Sequence, residues 1–406
     1  MTQYIKLAWR NLWRNKRRTL ITSASVFFGV VLSSFMRSMQ EGSYDQYIRS
    51  IVNSYTSYIQ IHKKGYWDDK VINNTFKLNQ TIESELKRNK NITLYSPRFE
   101  TFCLASSEDY TKGVMVLGID PQREDKIINI SGKLKQGHYL KNDEDGILLC
   151  SVLAEFLKMN VNDTLVLIGQ GYHGASAAGK FPVRGIIKHP SPEVDRTLVI
   201  MEIKKCQELF SAVGMLTSMA IMVHDANEVA DTKQTLVRSL PADLEVMDWK
   251  EMNELLMKQI ESDRASDMII IGILYMIIAF GIFGTIVMMM AERKKEFGVI
   301  LAVGMQKHKL MFVVLLETVL VSMVGAITGI FASIPVLGYY YYHPIPFTGK
   351  AAEMMIEMGF DPVLSFSLDP LILLIQALTI FTFTLIIGIY PVLNIWKLDI
   401  TNALHN

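Results

Sequence analysis

The sequence predicts a membrane protein, with four transmembrane helices and a large extracytoplasmic α+β domain inserted between helices 1 and 2. Three observations carry that expectation. Residues 268–291, 318–342 and 370–396 run for 24, 25 and 27 residues without a charge. Each exceeds the roughly 20 residues a helix needs to cross about 30 Å of hydrocarbon. A shorter apolar run, residues 20–36, follows a basic N-terminus, and residues 40–265 between the runs have the mixed composition of a water-soluble domain. At 406 residues the chain also exceeds what one core comfortably serves.

Taken in order, residues 1–18 read as an interfacial helix. Ile5, Ala8, Trp9, Leu12 and Trp13 recur at helical spacing, and Lys6, Arg10, Arg14 and Arg17 take other faces. Residues 19–38 form the first crossing. No small-x-small cleavage site follows the apolar run, so a retained anchor is expected rather than a signal peptide. Tyr44, Tyr47, Ile48, Ile51, Val52 and Tyr55 extend a helical stripe past the membrane, predicting a stalk to about residue 55. Met252, Leu255, Leu256 and Ile260 predict a second stalk within 249–291, which ends in the second crossing.

The domain between them, 56–248, mixes signals. Strands are expected at 58–62, 114–119, 146–150, 164–168, 181–187 and 197–201, and helices near 83–86, 151–157 and 226–240. Residues 169–180 are expected to be a flexible surface loop. The third and fourth crossings fall at 311–337 and 369–391, joined by an external loop, 338–368, and followed by a tail, 392–406.

Charge sets the orientation. The 292–310 segment carries Arg293, Lys294, Lys295, Lys307 and Lys309, whereas 338–368 has Lys350 as its one basic Lys or Arg. Basic residues near membrane ends favour the cytoplasmic side, which puts both termini inside and the large domain outside.

The chemistry of a catalytic centre is missing. Gly174 to Lys180 approaches a phosphate-binding loop, but Phe181 stands where Ser or Thr would meet magnesium, and a strand rather than a helix follows. Cys103, Cys150 and Cys206 are widely spaced and suit core positions. No metal-binding motif, nucleophile elbow or paired carboxylates occur, and no nucleic-acid partner is expected. One acid, Glu317, lies well inside a crossing, where pairing with a base or snorkelling would satisfy it. Ser25, Gly29 and Ser33, and likewise Gly325 and Gly329, recur at interval four, a signal for close helix packing.

Glu292, Arg293, Lys294, Lys295 and Glu296 lead into Phe297, Gly298, Val299, Ile300, Leu301, Ala302, Val303 and Gly304. Phe297, Ile300, Leu301 and Gly304 share a helical face, which predicts an amphipathic helix able to dock a cytoplasmic partner. This stretch strongly resembles the cytoplasmic signature of FtsX-like ABC-transporter permeases. The N-terminus agrees: Leu7, Ala8, Trp9, Arg10, Asn11, Leu12, Trp13, Arg14, Asn15, Lys16, Arg17, Arg18 and Thr19 look like that family's start. Glu317 with Gly325 and Gly329 looks like its third crossing. The outer region is similar to the family's periplasmic domain at Gly132, Lys133, Leu134 and Gly137, then Leu153, Ala154, Asn162 and Asp163. Tyr390, Pro391, Lys397, Leu398 and Asp399, with Ala403 and Leu404, resemble its end, although Ile400 and His405 replace the usual Pro and Arg.

The resemblance implies a bacterial inner-membrane subunit that binds no cofactor. ATP and Mg would sit on a separate ABC ATPase dimer, docked at a coupling helix within 292–310. It also implies a second permease subunit and a mechanical stroke acting on a lipoprotein, peptide or amphiphile at the outer face. Two other readings remain open here: a regulator of a cell-wall hydrolase, which would bind a protein partner, and a membrane-anchored sensor without an ATPase.

Overall fold

The computed structural model describes residues 2–14, 16–357 and 361–398. They gather into two compact units, one of Met1–Gln46, Gln259–Ile345 and Val363–Asn406, the other of Tyr47–Lys258 and Pro346–Pro362. The architecture is that of four apolar membrane-length helices with a large helical and β domain inserted between the first and second.

The membrane unit is built on helices α1 (Thr2–Arg14), α2 (Lys16–Ile51), α3 (Glu254–Ala302), α4 (Lys307–Tyr342), α5 (Pro370–Ile387) and α6 (Ile389–Trp396). At 1.5 Å per residue, α2 is about 54 Å long and α3 about 74 Å, both well beyond the hydrocarbon thickness. Helix α2 packs against α3, α4 and α5. Its Val26 and Val30 are buried with Ile278, Ile282 and Ile286 of α3, Ala326 of α4, and Ile380 of α5.

The small residues make that possible. A methyl group on Gly325 would lie 2.7 Å from the Ser23 carbonyl oxygen, and one on Gly329 would lie 2.9 Å from Val30 Cβ. Gly29 approaches Ile278 and Ile380 in the same way, at 2.8 and 3.4 Å. Ser33 is fully buried, while Ser25 is half-buried and donates its hydroxyl to the Ile21 carbonyl at 3.1 Å. The interval-four pattern thus serves packing between helices of one chain. At the opposite end from α1, the Phe366 backbone presses on Gly42, Ser38 Oγ donates to the Ser367 carbonyl at 2.6 Å, and Tyr44 Oη donates to Asp267 at 2.6 Å.

The second unit is organised by a ten-stranded mixed sheet. Its strands are β1 (Ile59–Lys63), β2 (Ile92–Ser106), β3 (Thr111–Ile119), β4 (Leu134–Gly137), β5 (Ile147–Cys150), β6 (Thr164–Gln170), β7 (Ser176–Ile187), β8 (Leu198–Glu202), β9 (Ser218–Val223) and β10 (Leu244–Asp248). They lie in the order β10-β1-β9-β2-β3-β8-β5-β7-β4, and β6 pairs with both β2 and β7. That extra pairing closes β2, β3, β8, β5, β7 and β6 into a ring. The 15-residue β2 is the shared strand: residues 92–98 pair with β9, and residues 104–106 pair with β6. Cys103, Cys150 and Cys206 are free thiols buried in the cores.

Residues 169–180 are a loop only at 171–175. They form the tip of the β6–β7 hairpin, paired from Leu167↔Gly179 to Gln170↔Ser176. Their small side chains reflect crowding rather than looseness, since a methyl on Gly169 would fall 2.8 Å from Cys103 Cβ. The two expected stalk stripes also differ in detail. Helix α2 closes at Ile51, and Val52–Thr56 widen into a single π turn. On the other side, a short helix, Trp249–Met252, is capped by Asp248 and stops at Asn253 before α3 begins. Met252 and Ile260 are buried, but Leu255 is 84% exposed.

Residues missed in the sequence hold the π turn. Arg98 and Glu124 form a fully buried ion pair at 2.5 Å, and Arg98 Nη1 donates to the Tyr55 carbonyl at 2.6 Å. His189 Nε2 lies 3.2 Å from the Ser54 carbonyl. In an alternating strand, Arg98 reads as a solvent-facing residue, so periodicity hides its role.

Gly325→Ile is expected to force α2 and α4 apart and to destabilise the folded chain by about 1–3 kcal/mol. Gly272→Ala, where nothing lies within 4 Å of the added methyl, should leave stability unchanged or slightly raised. Thermal unfolding of both variants in one detergent checks the contrast.

Candidate functional site

The candidate site lies where α1, α3, α4 and α6 meet at the end of the membrane unit richest in basic residues. Helix α3 does not stop at its charged segment. It continues through Glu292, Arg293, Lys294, Lys295 and Glu296 as far as Ala302, and a four-residue turn then leads into α4 at Lys307. The expected separate coupling helix is therefore the terminal part of the second membrane helix. Gly304 ends it: its φ of +105° suits glycine, and its N–H donates to the Leu301 carbonyl at 3.0 Å.

Of the apolar stripe expected to face outward, Phe297, Ile300 and Leu301 turn inward, and Gly304 stays exposed. Phe297 is 1% exposed and packs with Met290, Leu301, Leu310, Val314 and Ile395, with Ile300 against the same cluster. Gly298 is also buried. Helical periodicity identifies a face but not its partner, and here α4 and α6 supply the partner. The surface left exposed comprises Glu292, Lys294, Lys295, Val299, Ala302, Val303 and Gly304, with Glu296 half-buried.

Arg293 is likewise turned inward. Its guanidinium makes a two-pronged ion pair with Glu317: Nη1 bonds Oε2, and Nη2 donates to Oε1 at 3.3 Å. Asn11 Nδ2 of α1 donates to the same Oε1 at 2.7 Å. Arg293 and Glu317 are 6% and 3% exposed, and the guanidinium sits 4.9 Å from the Phe297 ring centre. Three helices thus converge on one carboxylate. Around this centre, Glu296 accepts from Arg293 Nε at 3.4 Å and lies 3.5 Å from Arg14, an exposed contact of small energetic weight. Lys307 Nζ donates to the carbonyls of Trp396 and Leu398 at 3.2 and 2.8 Å, fastening α4 to the end of α6.

Among the described residues no group of three or more His, Cys, Asp or Glu could hold a metal ion. What the arrangement provides is rigidity: a buried charge pair with its remaining lone pairs satisfied fixes the register of the helices that carry it. The sequence singled out Glu317 and Arg293 separately; Asn11 gave no signal beyond its place in the N-terminal signature. Asn15, Asp399, Ile400, Ala403, Leu404 and His405, which carried part of the family likeness, lie outside the described residues.

Residues 268–400 match the FtsX-like permease C-terminal family. The chain is similar to the lipoprotein-releasing system transmembrane protein LolC of Xylella fastidiosa (strain 9a5c), 23% identical over 59% of this chain and 59% of that protein. It therefore spans about six-tenths of that relative's length. The LolC protein of Neisseria meningitidis serogroup B (strain ATCC BAA-335 / MC58) is 22% identical over 77% of this chain and 75% of that one. Among solved structures, the periplasmic region of MacB from Actinobacillus actinomycetemcomitans aligns with a TM-score of 0.36 and 14% identity, over 50% of this chain and 94% of that one.

Replacing Glu317 with Leu leaves the Arg293 charge buried without its partner and should destabilise the membrane unit by about 3–5 kcal/mol. The double variant Arg293→Met/Glu317→Leu should recover at least half of that loss. A double-mutant cycle by thermal unfolding reads both, and a neutral single variant would show that the pair does not hold the helices.

Proposed function

We propose that this chain, which belongs to the FtsX/MacB-like superfamily of ABC-transporter permeases, is a non-catalytic subunit that carries ATP-driven motion through the membrane to a substrate at the outer face. The observation that supports this most is helix α3. Its basic end is locked to α4 and α1 through Arg293, Glu317 and Asn11, and it runs 49 residues without a break to Glu254. A displacement applied at one end of such a helix is not absorbed by a hinge.

A separate ABC ATPase dimer docks on the exposed side of the α3 terminus, where Glu292, Lys295, Val299 and Val303 lie at helical spacing before the Gly304 turn. The dimer holds ATP and Mg. Basic residues gather on α1 and around 293–309, so this end and both termini face the cytoplasm, and the large domain faces outward. A second permease subunit completes the complex. The stroke leaves through α3 and through α2, whose π turn is gripped by Arg98 and His189. Three relatives carry lipoprotein release in their names, which supports a lipoprotein as cargo, extracted from the outer leaflet rather than passed through the bundle.

Phe297→Asp would report on folding, because the ring is buried. Exposed positions report on docking instead. Val303→Asp and Lys295→Glu should leave the chain folded and membrane-inserted while lowering co-purification of the ATPase in mild detergent by tenfold or more. The reading fails if no ATPase accompanies the wild-type chain, or if both variants retain it fully.

A further inference from the structure

The basic end carries a second feature, an apolar groove of 490 Å³ between α1, α2 and α4. Leu20, Phe27, Phe28 and Val324 line its length, and Trp9, Trp13 and Lys16 stand at its mouth. It opens sideways, since Leu20 and Phe28 are 71% and 58% exposed. From Lys16 to Phe28 the groove follows twelve residues of α2, about 18 Å, close to half of the roughly 30 Å hydrocarbon thickness. Its depth is that of a single leaflet.

Basic residues predominate at the mouth. Lys6, Arg10, Lys16 and Arg17 are exposed on α1 and α2, while the acids that meet α1, Glu296 and Glu317, are engaged by Arg14, Arg293 and Asn11. The two tryptophans suit the boundary between headgroups and hydrocarbon. An occupant must therefore carry an anionic head and an alkyl tail of leaflet length. We propose that the groove is a binding site for an anionic phospholipid of the adjoining leaflet, with one acyl chain along Leu20, Phe27 and Val324 and the phosphate at Lys16. Basic pockets between membrane helices select anionic headgroups by the same electrostatics. Such a lipid would brace α1 against α2 and α4, beside the Asn11–Glu317 contact.

The full chain, purified in mild detergent, is titrated with phosphatidylglycerol or phosphatidylcholine and followed by native mass spectrometry and thermal unfolding. Wild type should retain phosphatidylglycerol at least tenfold better and unfold at a higher temperature with it. Lys16→Glu should abolish the preference, and Ala24→Phe, which fills the groove without changing charge, should reduce retention of phosphatidylglycerol severalfold. Equal retention of the two lipids by wild type would overturn the proposal without reference to any variant. So would folded Lys16→Glu and Ala24→Phe chains that bind phosphatidylglycerol as wild type does. A disulfide between two copies carrying Ala24→Cys, formed in membranes, would show a second chain in the groove and overturn it as well; the buried native cysteines make wild type the control.

Discussion

The membrane unit depends on one constraint, the need to satisfy a carboxylate and a guanidinium that are almost wholly buried. Glu317 and Arg293 are each nearly inaccessible, and neither can be left alone in such surroundings without a large free-energy cost. Their pairing fixes α3 against α4, and the Asn11 amide adds α1 to the same point. A well-packed apolar pair would hold two helices at least as tightly. The polar version adds direction, because a two-pronged guanidinium contact tolerates little rotation or sliding.

That constraint matters because of what lies along the same helix. The segment following Arg293 is at once the end of a membrane helix and an exposed surface. Inward residues Phe297 and Leu301 join α3 to α4 and α6, while Lys295, Val299 and Val303 remain outside. A push on the outer stripe is thus resisted by a packed core rather than dissipated in a loose loop. Within the other unit, the end of α2 meets a comparable device, a π turn whose carbonyls are held by Arg98 and His189. Each of the two long helices thus carries a buried polar contact, α3 at Arg293 and α2 at the π turn that follows it.

Much of this was legible in the sequence. A bilayer demands long uncharged runs, so the four crossings stand out, and Gly325 and Gly329 announce close packing through their spacing alone. The signature from Glu292 to Gly304 located the candidate site. Other features were hidden for physical reasons. The face of Phe297 was visible as a stripe, but the choice between a partner protein and the chain's own α4 and α6 is made by tertiary packing. Strand β2 was missed because Pro97, Arg98 and Glu100 interrupt its apolar pattern, and those charges are satisfied by distant residues. Gly169 and Gly179 imitated a loop where they mark crowded strand positions.

The central claim is that motion travels along an unbroken α3. Inserting three glycines after Glu261, on the large-domain side of the uncharged stretch, interrupts that helix while leaving the Arg293–Glu317 contact and the exposed stripe untouched. In reconstituted complexes, ATPase binding and ATP hydrolysis should persist while release of cargo at the outer face falls to background. Release at the wild-type rate from the interrupted chain would contradict the account.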